Sequence, residues 1–362
     1  MNESLLDPRV VRMPDFAPGT WLNTPQPLTR ESLRGRVVLV DFWDYTCVNC
    51  IRTLPYVTTW HERYAEAGLA VIGVHTPEFK FAQLQGEVEA ALEAFNIRYP
   101  VLLDNAYQNW DRFAVRAWPT HFLIDIAGYV RFVRRGEGYY AETERAVQAL
   151  LRESNPDLSL PDVMPPLRPE DAPGAVCWRT TPELYAGYER GALGNPEGYA
   201  ANVPLAYRMP IEPLRTEGAF YVSGLWQATP DSLAFAGQEG GMLVLPYSAA
   251  GVNAVLSPSA SPVEVALRLR RTPAEPIVEV RLDGAYLTPE NAGADIEYDD
   301  GGVSYVLVES PRMYELVRSP EFGSHELELV FRANGLAIYT FTFNRCVAPG
   351  RSPRDPRVFQ VR

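Results

Sequence analysis

Arg36-Val37-Val38-Leu39-Val40-Asp41-Phe42-Trp43-Asp44-Tyr45-Thr46-Cys47-Val48-Asn49-Cys50-Ile51-Arg52-Thr53-Leu54-Pro55 is the stretch whose reading decides the fold. A run of Val and Leu closed by Phe-Trp predicts a strand covered on both faces. A short loop follows, then a helix that opens on Cys-x-x-Cys. Unpaired backbone N–H groups and the positive end of the dipole favour an anion at a helix start. Cys47 falls there, so its thiolate is expected to be stabilised. Cys50, about one turn on, faces the same way and can close a small disulfide with it. The implied chemistry is dithiol–disulfide exchange, in which Cys47 attacks and Cys50 resolves the mixed disulfide. Asp41, at the end of the strand, is expected to be buried, with a raised pKa, and to take the proton from Cys50. Pro55 lies inside the helix and is expected to kink it.

Phe42-Trp43-Asp44-Tyr45-Thr46-Cys47-Val48-Asn49-Cys50-Ile51-Arg52-Thr53-Leu54-Pro55-Tyr56 resembles the active stretch of the thioredoxin superfamily. With Ile72 to Phe79, Tyr99-Pro100-Val101, Asp104-Asn105 and Trp118-Pro119, the resemblance narrows to the thioredoxin-like part of DipZ-type proteins, relatives of the TlpA-like redoxins. It implies that Pro119 is cis beside the cysteines and that the backbone around it holds an extended peptide. Trp118, Thr120 and Trp43 become candidate substrate-binding residues. Trp118 is bulkier than the small residue usual before this proline in thioredoxin, so it either narrows access or fills the sheet–helix core.

The chain has 362 residues, enough for two domains, and a formal net charge of -12. A pI near 5.0 speaks against nucleic acid or an anionic membrane as partner. No stretch is long and apolar enough to span a bilayer. The segment Met1 to Pro8 lacks the basic and apolar parts of a signal peptide, which points to the cytoplasm. DipZ-type relatives instead carry this module outside the membrane, attached to a membrane domain. Zinc, the rival use of Cys-x-x-Cys, needs further ligands at spacing; His61, His75, His121 and His325 form no such pair, so no metal is expected. The redox-active group is then the Cys47–Cys50 disulfide itself, with no other cofactor. Peroxiredoxin chemistry is disfavoured, because Thr46 abuts Cys47 directly and no matching Pro-rich lead precedes it.

Along the first half, Trp21-Leu22-Asn23 reads as a short edge strand and Leu28 to Leu33 as a short helix. The helix from Cys47 is expected to reach about Ala67, with Gly68 as its cap. Leu69 to His75 is the next buried strand, parallel to the first. Phe79 to Phe95 reads as one helix. Glu78, just before it, reads as a solvated loop carboxylate. Tyr107 to Ala114 is a short helix, His121 to Asp125 and Tyr129 to Arg134 are strands, and Glu142 to Arg152 is the last helix. The fold expected for 1–154 is the α/β thioredoxin fold. A Pro-rich linker over 155–174 follows, packed in part.

Residues 175–348 change character, with short alternating segments and Gly or Pro turns. Ala219 to Val222, Met242 to Leu245 and Val263 to Leu269 read as strands. Hairpins are expected around Asp283-Gly284 and Asn334-Gly335. The expectation is an all-β jelly-roll sandwich, and DipZ-type proteins end in such a domain, similar to carbohydrate-binding modules; 349–362 is a tail. Cys177 and Cys346 fall on its first and last strands. A disulfide between them is open, but buried free thiols are preferred because no export signal is visible. Trp178 and Trp226 are read as core rather than as a sugar platform.

The resulting expectation is a thiol–disulfide oxidoreductase reducing protein or small-molecule disulfides, supplied by an upstream thiol reductant. Val48 and Asn49 between the cysteines, and Asp41 and Asp44 nearby, lean toward a reducing or intermediate potential rather than that of a strong oxidant. The alternative is a β-sandwich adaptor, glycan-binding in one version, carrying a non-catalytic redoxin domain.

Overall fold

The structure is a computed structural model that describes residues 5–7, 9–266 and 276–349. The chain divides into two compact units, Met1–Leu167 and Arg168–Arg362. The tail read over 349–362 lies, beyond its first residue, outside the described residues.

Seven consecutive buried residues make the central strand of the first unit, β2 (Val37–Trp43). It follows the two-residue β1 (Trp21–Leu22) and leads into α1 (Val48–Tyr64). Then come β3 (Leu69–His75), α2 (Gln85–Ala94), β4 (Val101–Leu103), α3 (Gln108–Arg112), β5 (Thr120–Ile124), β6 (Val130–Arg135) and α4 (Tyr140–Ser154). The sheet order is β1-β4-β3-β2-β5-β6. Strands β2, β3 and β4 run parallel; β1, β5 and β6 pair antiparallel with their neighbours. Side chains alternate across a strand. Val38, Val40 and Phe42 join Ile72, Val74 and Phe122 in one apolar core. Leu39, Asp41 and Trp43 therefore point to the opposite face. There Asp41 stands in register between Gly73 and His121.

Three local expectations in this unit change. Leu28 to Leu33 is a turn, not a helix. Thr29 and Ser32 cross-bond through side chains and backbone, and Gly35 closes the turn at φ 84°. Phe79 to Phe95 is not one helix: a single 3-10 turn, Lys80–Gln83, precedes α2, and Leu84 between them is extended. Phe79 and Phe81 stack and are buried, so packing overrides the helical period. Helix α1 stops three residues before Ala67 and runs on through Pro55. The linker segment contributes to this unit too, since Met164 N donates to Glu144 and Leu167 N to the Tyr56 hydroxyl.

The second unit is sheet-rich. Its strands are β7 (Val176–Cys177), β8 (Leu184–Tyr185), β9 (Pro204–Tyr207), β10 (Tyr221–Ala228), β11 (Leu233–Phe235), β12 (Gly241–Ser257), β13 (Ile277–Leu282), β14 (Ala285–Tyr286), β15 (Glu297–Tyr298), β16 (Ser304–Leu307), β17 (Arg312–Phe331), β18 (Ala337–Asn344) and β19 (Cys346–Val347). Eleven of them form one antiparallel sheet organised on the long β12 and β17. The Asp283-Gly284 hairpin forms, both residues at positive φ. The hairpin expected at Asn334-Gly335 does not: β17 and β18 each pair with β12 instead of with each other. Val263 to Ala266 is helical, in α5 (Pro262–Ala266), because Pro262 opens the helix and the Ser261 hydroxyl accepts from Glu264 N. The rest of that expected strand lies outside the described residues. Trp226 is buried in the main core and Trp178 in a smaller one.

The preference for free thiols at Cys177 and Cys346 is overturned. Strands β7 and β19 pair antiparallel with these two residues directly opposite, their Cα atoms 4.1 Å apart, and the sulfurs are bonded. No helix among the described residues is long and apolar enough to cross a membrane.

Candidate active site

Cys47 caps α1. Its backbone is extended (φ −75°, ψ 113°), and its Sγ accepts a hydrogen bond from Cys50 N at 3.3 Å. Cys47 is partly exposed, whereas Cys50 is buried to 1% exposure, and both are free thiols. The outer sulfur can therefore be reached from solvent, and the inner one cannot. Burial drives the Cys50 thiol well above its ordinary range. The hydrogen bond and charge of Cys47 push the same way, as does the charge of Asp41, while the Asp44 backbone opposes them.

The loop between β2 and α1 is clasped by Asp44. Its buried carboxylate accepts from Thr46 N at 2.7 Å, from the Thr46 hydroxyl at 2.9 Å and from Glu78 N. Burial still outweighs these donors and raises Asp44 to about 6. His75 lies 3.9 Å from it, stacked on Tyr45 and edge-on to Trp43. Burial lowers His75 to about 3, so the ring is neutral. Glu78, read as a solvated loop residue, is partly buried and serves the clasp through its backbone.

The Trp118–Pro119 peptide is cis, as the resemblance implied. Trp118 is half-buried; its Nε1 donates to Thr76 O at 3.0 Å and its ring lies 4.3 Å from that of Trp110. Thr120 is buried and its hydroxyl donates to Ala117 O. Trp43 is fully buried under the loop. Of the three candidate substrate-binding side chains, only Trp118 has surface to offer. Asp41 is buried as expected, with its Oδ1 3.2 Å from His121 Nε2. The sequence reading missed His121, the Asp44 clasp and neutral His75. A period-2 count from Pro119 puts His121 on an inward strand, but only the β2–β5 register sets it against Asp41.

A Cys-x-x-Cys that caps the helix after β2, with a cis proline leading into the neighbouring β5, on a mixed sheet of this order, defines a thioredoxin-like dithiol redox centre. Residues 12–133 match the AhpC/TSA family and residues 181–344 the thioredoxin like C-terminal domain. Protein DipZ of Mycobacterium tuberculosis (strain CDC 1551 / Oshkosh) is 40% identical over 208 residues, covering 57% of this chain and 29% of that protein. Thiol-disulfide oxidoreductase ResA of Geobacillus thermodenitrificans (strain NG80-2) is 30% identical over 123 residues, covering 34% of this chain and 67% of that protein. A crystal structure of a thiol:disulfide interchange protein of the thioredoxin family from Chlorobium tepidum TLS matches at 24% identity and a TM-score of 0.35, covering 40% of this chain and 99% of that one. The chain belongs to the TlpA/DipZ-type thioredoxin-like redoxins, a family of thiol–disulfide oxidoreductases. It spans less than a third of the length of the DipZ proteins it matches.

Proposed function

We propose that this protein reduces disulfides of proteins or small molecules through Cys47 and Cys50. The observation that carries the reading is the pairing of a partly exposed Cys47 at the start of α1 with a buried Cys50 one turn on. The Cys47 thiolate attacks one substrate sulfur and the other leaves as a thiolate. Cys50, once deprotonated, attacks the Cys47 sulfur, which closes the Cys47–Cys50 disulfide and releases the second substrate thiol. The chemistry needs no group beyond the two sulfurs, and a separate thiol reductant restores the dithiol. Substrate contact falls to Trp118 and the backbone around Pro119, with Trp43 and Thr120 supporting from beneath.

The Cys177–Cys346 disulfide favours an oxidising compartment outside the cytoplasm over the cytoplasm. For the sheet-rich unit a jelly-roll sandwich is the architecture we favour, since β12 takes β10 as a neighbour along its first part and β18 along its last. Burial of Trp178 and Trp226 weighs against a glycan-binding role for those rings.

Titration against glutathione buffers, read by alkylation and mass spectrometry of each cysteine, tests the reading. A reversible Cys47–Cys50 couple near about −270 mV supports a reductase, and one near about −120 mV would make it an oxidant. Cys47→Ser should abolish turnover and Cys50→Ser should accumulate mixed disulfides. Turnover retained by Cys47→Ser would overturn the assignment.

A further inference from the structure

Trp43, Trp60, Trp178 and Trp226 are buried, whereas Trp110 and Trp118 stay partly exposed, as does Tyr107. These last three rings are neighbours. Between centroids, Trp110 lies 4.3 Å from Trp118 and 6.0 Å from Tyr107. Tyr107 and Trp110 come from the start of α3, and Trp118 from the turn before β5. Trp118 Nε1 donates to Thr76 O at 3.0 Å, and the Tyr107 hydroxyl donates to Pro77 O. Both bonds end on the backbone just after β3, so these two rings turn mostly carbon to solvent. Aromatic side chains that keep surface are enriched where proteins make their tightest contacts.

Two buried carboxylates tie these rings to the loop that carries Cys47. Asp104 accepts from Asn109 N and Trp110 N, both at 2.9 Å, and from the Thr76 hydroxyl at 3.2 Å. One group thus holds both α3 and the segment after β3. Asp44 accepts from Glu78 N in that same segment and from Thr46 N, next to Cys47. Thr76 N donates to Trp43 O, the last residue of β2. From the core, Phe42 packs nearly at right angles to Trp110, ring centroids 6.5 Å apart. Tyr107 takes left-handed backbone, φ 59° and ψ 16°, which an aromatic residue adopts only when its surroundings hold it there. Rings fixed this firmly lose little freedom on binding. Both carboxylates are buried and bonded to backbone N–H groups, so they offer no charge to a ligand on the rings.

We propose, building on the dithiol reading above, that Tyr107, Trp110 and Trp118 form an apolar shelf that seats the aliphatic or aromatic side chain next to the attacked cysteine, with Trp110 as its specificity-determining residue. The substrate class is then a peptide or protein disulfide with such a neighbour, not a small polar disulfide such as oxidised glutathione. The sulfur chemistry stays with Cys47 and Cys50, and the shelf sets how tightly the substrate is held.

The test uses the pre-reduced full chain and symmetric disulfides of acetyl-Xaa-Cys-Gly-amide, with Leu, Phe, Ser or Arg at Xaa, alongside oxidised glutathione. Alkylation and mass spectrometry follow the loss of the Cys47 and Cys50 thiols against disulfide concentration. Each rate is divided by that of the same disulfide with dithiothreitol, which removes differences in intrinsic reactivity. In wild type the Leu and Phe peptides should react about tenfold faster than the others at limiting concentration, through a lower half-saturation concentration and an unchanged plateau. Trp110→Ala should bring the Leu-to-Ser ratio to within about twofold of one, and Trp110→Phe should hold it above about fivefold. The ratio is internal to each protein, so a general loss of stability does not mimic the effect. A second measurement leaves the shelf intact: Cys50→Ser is trapped as a mixed disulfide with the Leu or the Ser peptide, and the Trp110 and Trp118 indole N–H signals should differ between the two adducts. Equal normalised rates for Leu and Ser in wild type overturn the proposal, as does a preference for Arg, a Leu preference that survives Trp110→Ala, or identical indole signals in the two adducts. Failure of wild type to reduce any of these disulfides would instead sink the dithiol reading itself.

Discussion

Replacing His75 by Phe should make the protein more resistant to acid. His75 is fully buried, its ring nitrogens have no hydrogen-bond partner among the described residues, and its ring is packed between Trp43 and Tyr45. Phe keeps that packing and removes two unpaired polar atoms. Burial lowers His75 from 6.5 to about 3, so below the ordinary value the unfolded chain binds a proton that the folded chain refuses. Stability from this residue is therefore complete above pH 6.5 and is lost as pH falls toward 3, at about 1.4 kcal/mol per pH unit. The variant lacks that slope. Relative to wild type it should gain about 3 kcal/mol between about pH 6.5 and about pH 4, while lying within about 1.5 kcal/mol of wild type near neutrality. Urea unfolding at several pH values, analysed as variant minus wild type, cancels the other titrating groups. A difference that stays flat with pH would mean that His75 titrates normally in the folded state, and the argument from burial would fail.

Asp44→Asn should show the opposite slope. The Asp44 carboxyl is raised from 3.8 to about 6, so wild type gives up stability as pH rises through that window. The variant should be weaker at acid pH through the clasp it loses, then recover about 1.4 kcal/mol per pH unit relative to wild type up to about pH 6, by the same urea measurement. Gly73→Ala should cost about 1–3 kcal/mol, since its Cβ would lie 2.9 Å from Trp43 Nε1 and 3.1 Å from Val101 Cγ2; an unchanged urea midpoint would count against that crowding. Replacing Cys177 and Cys346 by Ser removes a cross-link between residues 169 apart. The chain-entropy estimate is about 5 kcal/mol, so the double variant should melt well below wild type, and added reductant should lower only the wild-type melt.

The parts of this fold that could be read from the sequence are those whose cause is local. Seven buried residues from Val37 to Trp43 form a strand because no polar face interrupts them. Cys47 caps a helix because its own backbone and sulfur do so. What could not be read depends on which strand lies beside which. Asn334-Gly335 carries the right residues for a tight hairpin, and Gly335 does take positive φ. Yet β12 offers a longer partner to both flanking strands, so the local turn does not decide the pairing. The same holds for Cys177 and Cys346, whose opposition is a fact of register between the two ends of the second unit.

The active site divides along the same line. Asp41 announces itself, because a carboxyl in an otherwise apolar strand needs a reason to be there. His121 announces nothing: it sits in Thr120–Ile124 as one inward residue of five, and a buried histidine is ordinary in a core. It becomes chemically specific only when β5 is laid antiparallel to β2 and the two side chains are brought to 3.2 Å. The two residues stand about 80 positions apart in the chain, so their approach depends on strand order and register alone. The pair of cysteines is therefore written in a few adjacent residues, whereas the approach of these two buried polar side chains is written in the sheet.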